Sequence, residues 1–194
     1  MSRTAEISRT TKETNIKILI DLDSREEPKI DIELPFFTHI LYSMAFHGGF
    51  YMEITGRGDI DVDPHHLVED IGLVLGDVFT AIRTADGPHK RFGHFIIPMD
   101  EALSEVTIDV AGRPYLVYNA NYPQPVAGTF DISLLKEFLL AFANRGGMNI
   151  HAVCRYGDNS HHMAEALFKA LGKALGQAFS PAEGNIILST KGKL

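Results

Sequence analysis

Along residues 14–23 (TNIKILIDLD) and 29–34 (KIDIEL) apolar and polar positions alternate, the period of a strand with one buried face. The turn-rich SREEP between them predicts that the two pair as a β-hairpin. After Pro35 the period changes: FFTHILYSMAFHGG spaces its apolar residues as a helix does and stops at a glycine pair suited to a C-cap. FYMEITGRGD returns to the period of a strand. Asp63 and Pro64 then supply the N-cap and first-turn residues of a second helix, HHLVEDIGLVLGDVFTAIRT. Its Leu67, Ile71, Val74, Leu75 and Val78 form one apolar face, which predicts packing against a sheet.

The second half repeats this order. SEVTIDV and RPYLVYNA read as strands around Ala111-Gly112, FDISLLKEFLLAFANRGG as a helix, NIHAVCRYG as a strand and SHHMAEALFKALGKALGQAF as a long helix. FFTHILYSMAFHGGF superposes on LLKEFLLAFANRGGM with a displacement of 98 residues, and HHLVED on HHMAEA with one of 96. The pattern is that of an internal duplication. Two strand-strand-helix-strand-helix units predict a two-layer α/β protein with a pseudo-twofold axis. No long Gly/Ser-rich linker separates the repeats, about 1–90 and 91–194, so residues 1–194 are expected to form a single compact domain.

Composition narrows the chemistry. At 194 residues the chain can bury an ample core without a structural metal. A net charge of −7 argues against nucleic acid or an anionic membrane as partner, so an anionic small molecule would need a local cationic cluster. The single Cys154 excludes a disulfide framework and a thiolate metal site. Neither a signal-peptide pattern nor an apolar run of spanning length is present, and a cytoplasmic location is expected. Against this background the nine histidines stand out.

Each long helix begins with His-His-x-x-Glu: His65, His66 and Glu69, then His161, His162 and Glu165. The first His and the Glu share a helix face, whereas the neighbouring His points about 100° away. Each motif can therefore hold one divalent cation and offer an imidazole elsewhere. His39 is matched in the repeat by Glu137, also a competent ligand. A lone histidine is more often structural, and His89 and His94 are read so; for His47 and His151 core packing and substrate contact are equally open. The recurrence of HHxxE at equivalent places favours metal binding. Oxygen and imidazole donors without thiolate suit Mn²⁺ or another divalent cation of similar hardness, with Zn²⁺ a competitor. Arg91, Arg113, Lys169 and the Ser189-Thr190-Lys191 run could hold a phosphate, although each alone reads as a solvated polar group.

The segments RTTKETNI, FFTHIL with HG, DPHHLVEDIGLVLG, RFGHFIIPMDEAL, GRPYL, NSHHMAEALFKALGKAL and STKG run through nearly the whole chain. In this order they resemble the imidazoleglycerol-phosphate dehydratases. The resemblance implies a fold of the ribosomal protein S5 domain 2-like type and a hydro-lyase of histidine biosynthesis. It further implies two Mn²⁺ per active site, and sites built between subunits of an octahedral homo-oligomer of twenty-four chains. Carried over by position, His39, His65, His66, Glu69, Glu137, His161, His162 and Glu165 would be the ligands. Many relatives have His where this chain has Glu137, which keeps a donor and adds a negative charge. Glu13 would be the acid/base residue, and His47, Arg91, Arg113, Lys169, Ser189 and Lys191 would hold the substrate and its phosphate.

The reaction so implied converts imidazole glycerol phosphate to imidazole acetol phosphate. The carbon that loses a proton has no neighbouring carbonyl, so the substrate's own ring must take up the electrons. A metal-stabilised imidazolate expelling hydroxide to give a diazafulvene-like species would serve. Two other classes use the same ligands: a dinuclear metallohydrolase, which would release phosphate, and a non-catalytic metal-binding protein, which would need neither Glu13 nor the cationic residues.

Overall fold

The computed structural model describes residues 3–85 and 87–182. The first half contains β1 (Thr4–Thr10), β2 (Thr14–Asp21), β3 (Lys29–Asp31), α1 (Pro35–Gly48), β4 (Tyr51–Gly58) and α2 (His65–Ala85). The second contains β5 (Phe92–Met99), β6 (Ala102–Asp109), β7 (Tyr115–Asn119), β8 (Val126–Ala127), β9 (Phe130–Asp131), α3 (Leu134–Gly146), β10 (Asn149–Tyr156) and α4 (Ser160–Ala178). The sheets are ordered β1-β2-β4-β3 and β5-β6-β10-β7, the same topology twice. Among the described residues, only the small β8-β9 hairpin has no counterpart in the first half.

The α/β architecture and the repeat stand as the sequence pattern predicts, but the main sheet of each repeat has one strand more. Residues 14–21 pair not with 29–31 but with β1, in an antiparallel hairpin, and β3 pairs in parallel with β4. In the second half 102–109 pairs with β5 and β10, and 115–119 lies on the far side of β10 in parallel register, so the two strands around Ala111-Gly112 do not pair with each other. The physical reason is shared. A strand has two edges, and those of β2 and β6 are filled by the strand before and by the strand after the next helix, so the segment that follows crosses over to the far edge.

Alternation decides which way the sheets face. Ile16, Ile18 and Ile20 of β2 and Val106 and Ile108 of β6 are fully buried, while their neighbours along each strand are partly or fully exposed. The buried faces carry the helices, and the halves meet helix to helix, α1 along α4 and α2 along α3. Leu67, Ile71, Val74, Leu75 and Val78 of α2 are all buried. The predicted cap of α1 is present: Gly49 adopts φ 69°, and its N–H reaches the carbonyls of Ala45 and Phe46. At the α1–α4 crossing a Cβ on Gly172 would collide with the Met44 carbonyl oxygen, so the two backbones touch there. No helix among the described residues is long and apolar enough to cross a membrane.

Candidate functional site

The two motif helices start at the same end of the molecule as the first hairpin turn of their own sheet. Asp63 accepts from the His65 N–H at 2.9 Å and Asn159 from the His161 N–H at 2.9 Å, which caps both helices where their histidines begin. In the first half Thr14 donates to the buried Asp70 at 2.5 Å and Arg9 pairs with the same carboxylate at 3.0 Å. The Glu13 carbonyl accepts from the Asp59 N–H at 3.1 Å. These bonds fix the Glu13 turn against α2. In the second half Ser104 donates to the Met163 carbonyl at 2.9 Å, tying β6 to α4.

Across the α1–α4 crossing, one carboxylate gathers side chains from both halves. Glu165 Oε2 accepts from His39 Nε2 at 3.0 Å and from His161 Nε2 at 3.2 Å, and its Oε1 lies 2.8 Å from Lys169 Nζ. Burial opposes ionisation of Glu165, but Lys169 and then His39 outweigh it and hold the carboxyl down at about 2. The donor atoms of His39, His161 and Glu165 all lie within 4.8 Å of one another. Spacings near 3 Å are those of neighbouring ligands at about 2.1 Å from a common cation, so the group fits a divalent metal. Both rings keep an exposed side from which further ligands can approach.

The corresponding place in the first half is looser. His65 Nε2 is 3.5 Å from Glu69, and Glu137, in the first turn of α3, is not drawn into a three-residue group with them. The second histidine of each motif turns away from the first, with ring planes at 84° in both. His66 Nδ1 meets Asp59 at 3.0 Å and His162 Nδ1 meets Glu101 at 2.8 Å, contacts that raise both imidazole pKa values. The same bond to His162 holds Glu101 at about 2. The sequence pattern gives Asp59 and Glu101 no role, although Glu101 stands in the PMDEAL run. An acidic residue in a turn is ordinarily solvated, and nothing local marked these two.

Glu13 is exposed in its turn, and its charge acts on His66. His47, in the last turn of α1, is exposed overall; the desolvation it does suffer, and then the charges of Lys169 and Lys173, push its pKa down. Arg91 and Arg113 lie elsewhere. The Arg91 N–H bonds the carbonyl of Ala178, the last residue of α4, and its guanidinium forks onto Asp109 at 2.6 and 3.0 Å. Arg113 is exposed beyond β6, and its carbonyl accepts from Asn149 at 2.6 Å. From Glu165 to Ala178 the helix rises about 20 Å. The two arginines therefore sit far from the histidine-carboxylate group of the same chain. Ser189 and Lys191 fall outside the described residues. A cavity of about 500 Å³ beside Tyr118, Tyr122 and Lys136 contains none of the candidate ligands.

The sequence profile of the family described as imidazoleglycerol-phosphate dehydratase matches residues 32–175. The chain belongs to the imidazoleglycerol-phosphate dehydratase family. A dehydratase of Geobacter metallireducens is 48% identical over 200 residues, with 100% of both chains covered. The Geobacter sulfurreducens dehydratase is 47% identical over 199 residues, again over 100% of both chains. Among solved structures, the dehydratase of Pyrococcus furiosus, in complex with (S)-C348, superposes with a TM-score of 0.83 at 38% identity, covering 97% of this chain and 100% of that one. That of Staphylococcus aureus gives 0.80 at 34%, covering 92% and 99%. The chain is thus an enzyme of histidine biosynthesis, a hydro-lyase that dehydrates the small molecule imidazole glycerol phosphate.

Proposed function

We propose that this dehydratase works with two Mn²⁺ per active site, on ligands supplied by both HHxxE motifs together with His39 and Glu137. The observation that carries this reading is the group formed across the halves by His39, His161 and Glu165, whose donor atoms lie within 4.8 Å of one another. Cations held by these residues would supply Lewis acidity to the substrate's imidazole ring. The protein's own groups do the rest. Glu13, exposed beside His66, accepts the proton from the carbinol carbon, which a carboxylate can do only if no cation ties it down. His47, Arg91, Arg113, Lys169, Ser189 and Lys191 hold the substrate and its phosphate and so fix it, Lys169 from beside Glu165 at 2.8 Å.

The separation of about 20 Å along α4 between Glu165 and the Arg91 end favours sites shared between copies of the chain, because one substrate cannot span that gap. We read the assembly as a homo-oligomer of twenty-four, each chain a single compact domain, working in the cytoplasm. Incubation with imidazole glycerol phosphate tests the reading. Keto product without free phosphate, lost on chelation and restored by Mn²⁺, is the expected result; free phosphate would mean a hydrolase. Light scattering before and after EDTA tests the shared sites: the large particle should break into smaller oligomers, and one that is metal-free yet intact would refute a metal-held interface.

A further inference from the structure

His66 and His162 occupy equivalent positions in the two repeats, and each is gripped at the same atom, Nδ1, by a carboxylate. The duplication does not account for the grip. Asp59 follows β4 at the foot of α2, whereas Glu101 lies in the β5-β6 turn. Glu101 immediately precedes β6 as Glu13 immediately precedes β2, so the repeat counterpart of Glu101 is Glu13. Glu101 is consumed: it accepts from His162 Nδ1 at 2.8 Å and from the backbone N–H groups of Asp158 at 3.2 Å and Asn159 at 2.9 Å. Glu13 makes no side-chain hydrogen bond or ion pair among the described residues, and Asp59 takes the histidine in its stead, at 3.0 and 3.2 Å.

The same contact has thus been built twice from unrelated positions, and in the half where Asp59 makes it Glu13 is left with its carboxylate open. A carboxylate on Nδ1 fixes the proton there, which leaves the lone pair on Nε2 and holds the ring in one orientation. Neither ring joins the His39-His161-Glu165 group, and the nearest further carboxylate to His162 Nε2 is Asp100 at 3.8 Å, beyond a hydrogen bond. We propose that Asp59 and Glu101 are positioning residues for metal binding, each holding the Nδ1 edge of the second histidine of its motif so that Nε2 of His66 and of His162 is presented as a cation donor. The inference rests on the reading of His66 and His162 as ligands, and it assigns to Asp59 the further effect of releasing Glu13 from the place that Glu101 fills.

The test is the Mn²⁺ affinity of the metal-stripped full-length protein, titrated by the paramagnetic resonance of free Mn²⁺, beside the melting temperature of the same metal-free samples. Asp59→Ala and Glu101→Ala should each weaken binding at one class of site by about 10- to 100-fold. Asp59→Asn and Glu101→Gln, whose amide oxygens still accept from Nδ1–H, should recover most of that loss. A purely structural clamp would instead lower the melting temperature and leave Mn²⁺ affinity unchanged, and that result overturns the proposal. His66→Ala and His162→Ala separate the two levels. If they leave Mn²⁺ binding intact, the ligand reading itself falls; if they abolish it while Asp59→Ala and Glu101→Ala do not weaken it, only the positioning role falls.

Discussion

The two HHxxE helix starts are the same motif in different surroundings. In the second half Glu165 is only 9% exposed and is held by His39, His161 and Lys169 together. In the first half Glu69 is 47% exposed, 3.5 Å from His65, and the residue one turn on is Leu73 where α4 has Lys169. Duplication supplied both halves with equivalent histidines and carboxylates, but among the described residues only one pair of helices, α1 and α4, closes them into a group. Motif identity fixes what a site can bind. The elements packed across it fix whether the site is preorganised.

The largest expected effect removes the carboxylate from either side. Glu165→Ala and Glu69→Ala should both abolish measurable turnover and cut bound metal from two ions per protomer to one, as counted by elemental analysis. Full metal content in Glu69→Ala would mean that the open half is not a site and would break the comparison. Glu13→Gln comes next. Turnover should fall about 10²- to 10⁴-fold with metal content and particle mass unchanged, since the role assigned to Glu13 lies outside the ligand set. Loss of metal in that variant would refute the assignment.

Packing gives a smaller and sharper contrast. Gly172→Ala forces α1 from α4, whereas Gly72→Ala places a Cβ 2.6 Å from the Phe138 carbonyl at the α2–α3 crossing. Each should cost roughly 1–3 kcal/mol of stability, measured by denaturant unfolding of the metal-free protein. Only Gly172→Ala should also weaken the tighter Mn²⁺ site, because only that crossing carries a closed group.

The smallest effect lies on the outer sheet face of the second half. Glu105 joins Arg155 at 2.6 Å and His94 at 2.8 Å, and the Arg155 contact foremost lowers its carboxyl pKa. A carboxylate lowered on folding stabilises above its unfolded pKa of about 4.3, and that contribution is lost as pH falls below it. Glu105→Gln should therefore cost under about 1 kcal/mol at pH 7 and progressively less as pH falls through the lowered folded pKa, seen in unfolding curves at pH 7 and pH 3. The exposed Lys17–Glu6 pair of the first half, at 3.0 Å, should show less.

What could be read before folding follows from where information is local. The helices and their HHxxE starts were legible because helical spacing and capping residues lie within a few positions of each other. β1 was missed because TAEISRT, on a sheet edge, is exposed or only half-buried throughout and carries a weak alternation. β5 was missed because Gly93 and Pro98 interrupt it, which only an edge strand such as this tolerates. The parallel pairing of β3 with β4 and of β7 with β10 joins segments separated by a whole helix, and no local pattern announces it. The site divides in the same way. The candidate ligands show in the motif, whereas the grips of Asp59 on His66 and of Glu101 on His162 arise only when a loop or turn meets a helix start.

The glycine contact between α1 and α4 makes the His39-His161-Glu165 group a gauge. His39 belongs to one repeat and Glu165 to the other, so the distance between them reports how closely the repeats dock. Any ion bound to both side chains acts as a strut across the seam. By linkage, whatever free energy it gains from their proximity is the free energy by which it resists their separation. A cation held this way would guard the union of the two repeats, and damage to that seam, even far from the substrate, would be felt first as a loosened cation.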